Sequence, residues 1–111
     1  MIFRPESVLI YFNVDNVCDA ILSRVRSEPT LPKLVVLDLS AAPLVDMQSA
    51  HTLASMAAEL TGMSIHFHAV EPRSSVRDRL RREGVDIKLG GVDRFTTVAD
   101  VIDHFFGAAA P

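Results

Sequence analysis

The chain has 111 residues, 49% of them hydrophobic, with a formal net charge of −3 and one cysteine. That length gives room for one real core, and the apolar content excludes a disordered chain. The mild negative charge argues against nucleic acid as a general partner, lone Cys18 excludes an internal disulfide, and no apolar run approaches the roughly 18 residues that span a bilayer.

Taken in order, Ile2-Phe3-Arg4 is a brief apolar start cut by Pro5-Glu6-Ser7, and Val8-Leu9-Ile10-Tyr11-Phe12 follows as a β-branched and aromatic run. So short a connection predicts an antiparallel hairpin. The chain opens inside the first of these strands, so Met1 is read as a start that need not be the natural one. Asn13 is the expected cap of a helix whose apolar residues Val14, Val17, Cys18, Ile21, Leu22 and Val25 fall at helical spacing. Cys18 lies on that stripe and is expected to be a small core residue rather than a nucleophile. Pro29 and Pro32 close the helix.

Leu34, Val35, Val36, Leu37 and Leu39 form an apolar run broken only by Asp38, which predicts a strand buried on both faces at the centre of a parallel sheet. The run ends in the loop Ser40 to Val45, where Pro43 can neither donate to a ladder nor continue a helix. Asp46 is the expected N-cap of the next helix, accepting from the amides of Gln48 and Ser49. Ala50, Leu53, Ala54, Ala57 and Leu60 make its buried stripe, and Gly62 is the expected stop.

Ser64 to Val70 reads as a further parallel strand, and Ser74 as the cap of a helix from Ser75 to Glu83, with Val76 and Leu80 inward and Gly84 at its end. Val85-Asp86-Ile87-Lys88-Leu89 alternates as a half-buried edge strand should. After the Gly90-Gly91 turn, Thr97 caps the last helix, with Asp100 three residues on in a capping-box arrangement, and Val98, Val101, Ile102 and Phe105 inward. The predicted order is ββαβαβαβα, an α/β fold with helices on both faces of one mixed sheet of about five strands. A single domain is expected over residues 1–111, with its core in 2–106 and a small tail in 107–111.

Chemistry-bearing residues are sparse. His66 and His68 point to one face of a strand, but nothing in the sequence sets His51 or His104 beside them, so partly buried histidines are preferred to a metal centre. The segment from Arg73 to Glu83 carries five arginines against two carboxylates, a net +3 that leaves −6 for the rest of the chain. Arg77 and Arg81 are its candidate basic docking face for an anionic surface, set against a solvated face laced by pairs such as Asp78 with Arg82. Ser40, Ser49 and Asp46 have no histidine placed as their base, and Gly90-Gly91 lacks the lysine and hydroxyl of a phosphate loop. No catalytic set is read, and no cofactor is assigned.

With these pieces in place, the chain resembles a STAS domain, the module shared by sulfate transporters and anti-sigma factor antagonists. The carrying residues are Val35 to Ser40, Pro43 to Asp46 and the Ala/Leu helix behind them. Phe3-Arg4-Pro5, Leu9 to Asn13, Leu80 to Gly84 and Phe95-Thr96-Thr97 are most similar to the cytoplasmic C-terminal domain of SulP-type anion transporters. In the family the key loop reads Asp followed by Ser-Ser-Gly or Ser-Thr-Gly, and in the antagonists the second of those residues is the phosphorylated serine. Here Asp46 is kept, Met47 and Gln48 take the hydroxyl positions, and Ser49 stands where glycine is usual.

The resemblance implies a non-catalytic regulatory and protein-interaction domain, soluble as the isolated chain, at the cytoplasmic face of the inner (plasma) membrane. Its partners would be the transporter's own transmembrane domain or a cytoplasmic regulatory protein. Asp46, Met47, Gln48 and Ser49 are the expected partner-binding residues, with Ser49 the one phosphate acceptor left in the loop. The resemblance admits a nucleotide, but no residue here assigns one. The alternative is a free-standing signalling protein that binds a kinase-type anti-sigma factor.

Overall fold

The structure, a computed structural model, describes residues 1–92 and 96–107. Three strands build one parallel sheet in the order β1 (Ile2–Phe3), β2 (Leu34–Asp38) and β3 (His66–Val70). Four α-helices accompany them: α1 (Val14–Arg26), α2 (Met47–Gly62), α3 (Ser74–Arg82) and α4 (Val98–Gly107). Phe95 and the tail residues Ala108 to Pro111 lie outside the described residues.

The central strand behaves as its composition demands, with every residue of β2 buried. Its side chains alternate between two cores. Val35 and Leu37 join the large core with the buried faces of α1, α2 and α3, whereas Leu34 and Val36 join a smaller one with Val70 and Val101. Helices therefore cover both faces, α4 alone among the described helices contributing to the smaller core. The α1 stripe is buried at Val14, Cys18, Ile21, Leu22 and Val25, and the α2 stripe at all five expected positions. Burial, helped by Asp15 and Asp19, pushes the Cys18 thiol up to about 11, which suits a core residue.

The expected five-stranded mixed sheet is corrected to three parallel strands. The hairpin does not form: Ile2 and Phe3 pair in parallel with Val36 and Leu37. Val8 to Phe12 makes only one parallel bridge, Leu9 with Val45, through Leu9 N to Leu44 O at 2.8 Å and Asp46 N to Leu9 O at 3.0 Å. Asn13 is the reason. It is the N-cap residue of α1 as expected but makes no side-chain cap bond; its Oδ1 accepts from Ile10 N at 3.0 Å and its Nδ2 donates to Val8 O at 2.8 Å, curling the segment into a turn.

The expected edge strand Val85 to Leu89 is likewise a 3₁₀ turn over Ile87–Leu89. Apolar residues at 85, 87 and 89 mimic alternation, but only Val85 and Leu89 are buried, while Ile87 is exposed. Burial at i and i+4 is a helical pattern. Smaller corrections concern helix ends. Gly62 is the last residue of α2, and the left-handed position after it is Ser64, at φ 61°. The N-cap of α3 is Arg73 rather than Ser74, without a side-chain cap bond, and Gly84 follows the helix at φ 72°. The α4 capping box forms as expected: Thr97 N donates to Asp100 Oδ2 at 3.0 Å, and Asp100 N to Thr97 Oγ1 at 3.1 Å.

Candidate functional site

In a parallel α/β sheet the loops that leave the carboxyl ends of the strands gather beside the helix N-termini. Here β2 runs into Asp38, the one acidic residue on the strand. It is almost fully buried, accepts from Ser40 N at 2.9 Å and lies 3.9 Å from Arg4 Nε. This turns the chain out of the sheet. Arg73 Nε then donates to Ser40 O at 3.1 Å, so the loop after β2 is braced by the start of α3.

Asp46 is the hub of this end. Its Oδ1 accepts from Ser49 N at 2.8 Å, the expected cap bond, and its Oδ2 accepts from Tyr11 N at 2.8 Å. One carboxylate thus closes α2 and ties down the turn before α1. Partial burial pushes this carboxyl up, but the bonds from Ser49 and Tyr11 together with the Arg79 charge outweigh it and hold it below its ordinary 3.8. The Ser49 hydroxyl lies near enough to favour the carboxylate electrostatically. Among the described residues it meets no partner at hydrogen-bond geometry.

The four expected contact residues are not equivalent. Met47 and Gln48 are exposed, Asp46 is partly exposed, and Ser49 is 0% exposed. Sequence reading missed their neighbours. Tyr11 and Phe12, read as strand residues, are 67% and 81% exposed and follow the bridge that joins this turn to the Asp46 loop, which also exposes Leu44. The overlooked signal was Asn13, whose two side-chain bonds break the strand. An unsatisfied buried hydroxyl costs on the order of 1 kcal/mol or more. Ser49→Ala is accordingly expected to keep or raise the melting temperature; a loss above about 1 kcal/mol would reveal an Oγ partner.

The arginine helix flanks this end of the molecule, with Arg73 on the loop after β2 and the Arg79 charge felt by Asp46. Arg77 is half-exposed and Arg81 exposed, and among the described residues neither has a carboxylate within ion-pair distance. The pair that forms is Arg79 with Glu83, at 3.5 Å, in place of the expected Asp78 with Arg82. Glu83 also meets His51 Nε2 at 3.1 Å, joining α3 to α2. His104, which the sequence left unplaced, faces His68 across a cavity of about 360 Å³. Among the described residues no group of three or more His, Cys, Asp or Glu is arranged to hold a metal ion.

Comparison with known proteins agrees with this architecture. A family model for the STAS domain matches residues 1–101, and the chain belongs to that family. No curated protein matches significantly. Among solved structures, the chain is similar to the murine Solute Carrier 26 family member A9 anion transporter in its inward-facing state, with TM-score 0.80, 18% identity and 97% of this chain covered. It is also similar to the SulP transporter STAS domain from Vibrio cholerae, with TM-score 0.78 and 17% identity over 96% of this chain and 83% of that one. A sulfate transporter family protein from Wolinella succinogenes matches with TM-score 0.77 and 14% identity over 99% of this chain and 87% of that one. The chain spans only 20% and 17% of the two SLC26A9 chains it matches. At these identities the likeness is one of fold.

Proposed function

We propose that this STAS domain is a non-catalytic regulatory module of a SulP-family anion transporter, held at the cytoplasmic face of the membrane. It works there by binding the transporter's membrane portion or a cytoplasmic regulator. The observation that carries the reading is the Asp46 end of the molecule. There a rigidly capped helix start presents Met47 and Gln48 beside exposed Tyr11, Phe12 and Leu44. Exposed aromatic and large apolar side chains on a fixed scaffold suit protein contact. Among the described residues no helix is long and apolar enough to cross a membrane, so the membrane portion would come from elsewhere in a longer chain.

The antagonist alternative needs a serine that a kinase can reach. Positions 47 and 48 carry no hydroxyl, and that of Ser49 is buried behind them. This favours constitutive contact over a phosphate switch.

The test is binding of the purified domain to the membrane portion encoded in the same reading frame, held in nanodiscs. Met47→Asp is expected to weaken it by roughly tenfold or more, since an apolar contact would be replaced by a buried charge. Absence of any such reading frame, or capture of a kinase-type anti-sigma factor instead, would overturn the reading. Arg77 and Arg81 form a second, basic face in this proposal. Reversing both to Glu should weaken binding to an acidic partner or to anionic vesicles while changing stability by only about 0.5 kcal/mol. Unchanged binding would return them to plain solvated surface.

A further inference from the structure

The smaller core is where the fold is least committed. It rests on Leu34, Val36, Val70 and Val101, with Val98, Ile102 and Phe105 packed at its margin. A region with so few buried apolar residues opens more readily than the main core. Two histidines stand on this face of β3, in register with Leu34 and Val36 of β2. The His66 ring meets the edge of Phe105 at 4.9 Å between centroids. His68 is half-buried and lines the cavity of about 360 Å³ with Thr96, Asp100, Val101 and His104.

His68 is tightly packed on one side. On the side of the Gly90 turn the backbone comes so close that a Cβ on Gly90 would lie 2.7 Å from His68 Cγ and Nδ1. On the other side stands α4. Among the described residues, the ionisable groups that face His68 are His104 and Asp100 of α4, with His66 further along its own strand. Asp100 accepts from Thr97 N through Oδ2, and its charge does not offset the effect of burial and His104 on His68. From β2 the neighbour is Val36, from the turn it is Gly90, and Lys88 lines a different cavity with Ala57, Ala58 and Thr61.

We propose that α4 is a proton-gated flap: a proton on His68 drives α4 off the sheet and uncovers an apolar surface at Leu34, Val36 and Val70. Burial first, and then the neighbouring His104, hold His68 below its ordinary 6.5 while α4 is docked. Undocking removes the His104 effect and the share of the burial that α4 supplies, so the undocked form binds the proton more tightly. By linkage the docked form is favoured fully above pH 6.5 and loses ground as pH falls from there towards the lowered value. The histidines are thus placed so that mild acid exposes one face of the sheet without unfolding the large core. This inference is independent of the transporter reading.

Hydrogen exchange on the full chain, from about pH 7.5 to about pH 5 and corrected for intrinsic rates, reads the flap directly. Protection of the α4 amides is expected to fall severalfold while that of α1 and α2 holds. His68→Asn, which cannot take the proton, should make α4 protection flat across the range. Should that variant fold poorly, His104→Gln keeps the question open to test: removing the like charge should bring His68 of the docked form back towards 6.5 and so shrink the loss. An NMR titration of the His68 ring should show it protonating together with the loss of α4 protection. The inference is overturned if α4 and α1 lose protection in parallel, if His68→Asn keeps the loss, or if His68 titrates normally with α4 still docked.

Discussion

Leu37→Ala is expected to destabilise the protein by about 3 kcal/mol, within the range seen when a fully buried leucine is truncated. Leu37 is completely buried on β2 and belongs to the large core, to which α1, α2 and α3 all contribute. The cavity left behind would lie within the large core, where close packing leaves little room for collapse to offset it. Leu34→Ala, on the same strand but facing the smaller core under α4, should cost less because that helix can settle inward. Urea denaturation of both variants checks the order. A loss at Leu37 below about 1 kcal/mol would mean that the two-core arrangement is wrong.

Asp46→Ala should cost about 2 kcal/mol, more than a simple N-cap. Its carboxylate accepts two bonds of 2.8 Å, from Ser49 N within α2 and from Tyr11 N in the turn before α1. Alanine would orphan both amides and release the exposed Tyr11-Phe12 turn from the start of α2. Asp46→Asn keeps an acceptor and should recover part of the loss. The charge adds a pH signature. A carboxyl held below 3.8 in the folded state contributes stability that is fully present above that value and is lost as pH falls through the lowered one. Wild type should therefore lose this increment in acid, and Asp46→Ala should not. Parallel acid denaturation curves for the two would show that the carboxylate does not carry it.

These two residues also mark what could be read without coordinates. Leu37 sits in a run whose composition allows little but a strand covered on both sides, and β2 is buried at every position. Asp46 stands directly before a change to helical periodicity, where local chemistry favours a cap, and the cap bond forms. The stripes of α1 and α2 and the capping box of α4 belong to the same class of local signal. The second bond of Asp46, to a residue 35 positions away, left no local trace.

What failed in the reading were pairings and short segments. Whether Ile2-Phe3 pairs with the next apolar run or with one 34 residues on depends on which edge of β2 is free, and no local pattern encodes that. Val8 to Phe12 has the composition of a strand, yet two side-chain bonds from Asn13 curl it into a turn that exposes Tyr11 and Phe12. Val85 to Leu89 fits both a strand and a helical turn, and burial of Val85 and Leu89 against the α2 side decided for the turn.

By itself, then, the sequence determined the helices, the doubly buried strand, the cap at Asp46 and the family, because each is encoded in neighbours a few residues apart. Only the tertiary structure decided which strands pair, that Ser49 is buried while Met47 and Gln48 are exposed, and that His68 faces His104. Those are relations between distant segments, selected by which packing buries the most apolar surface at once. A linear pattern does not carry that quantity.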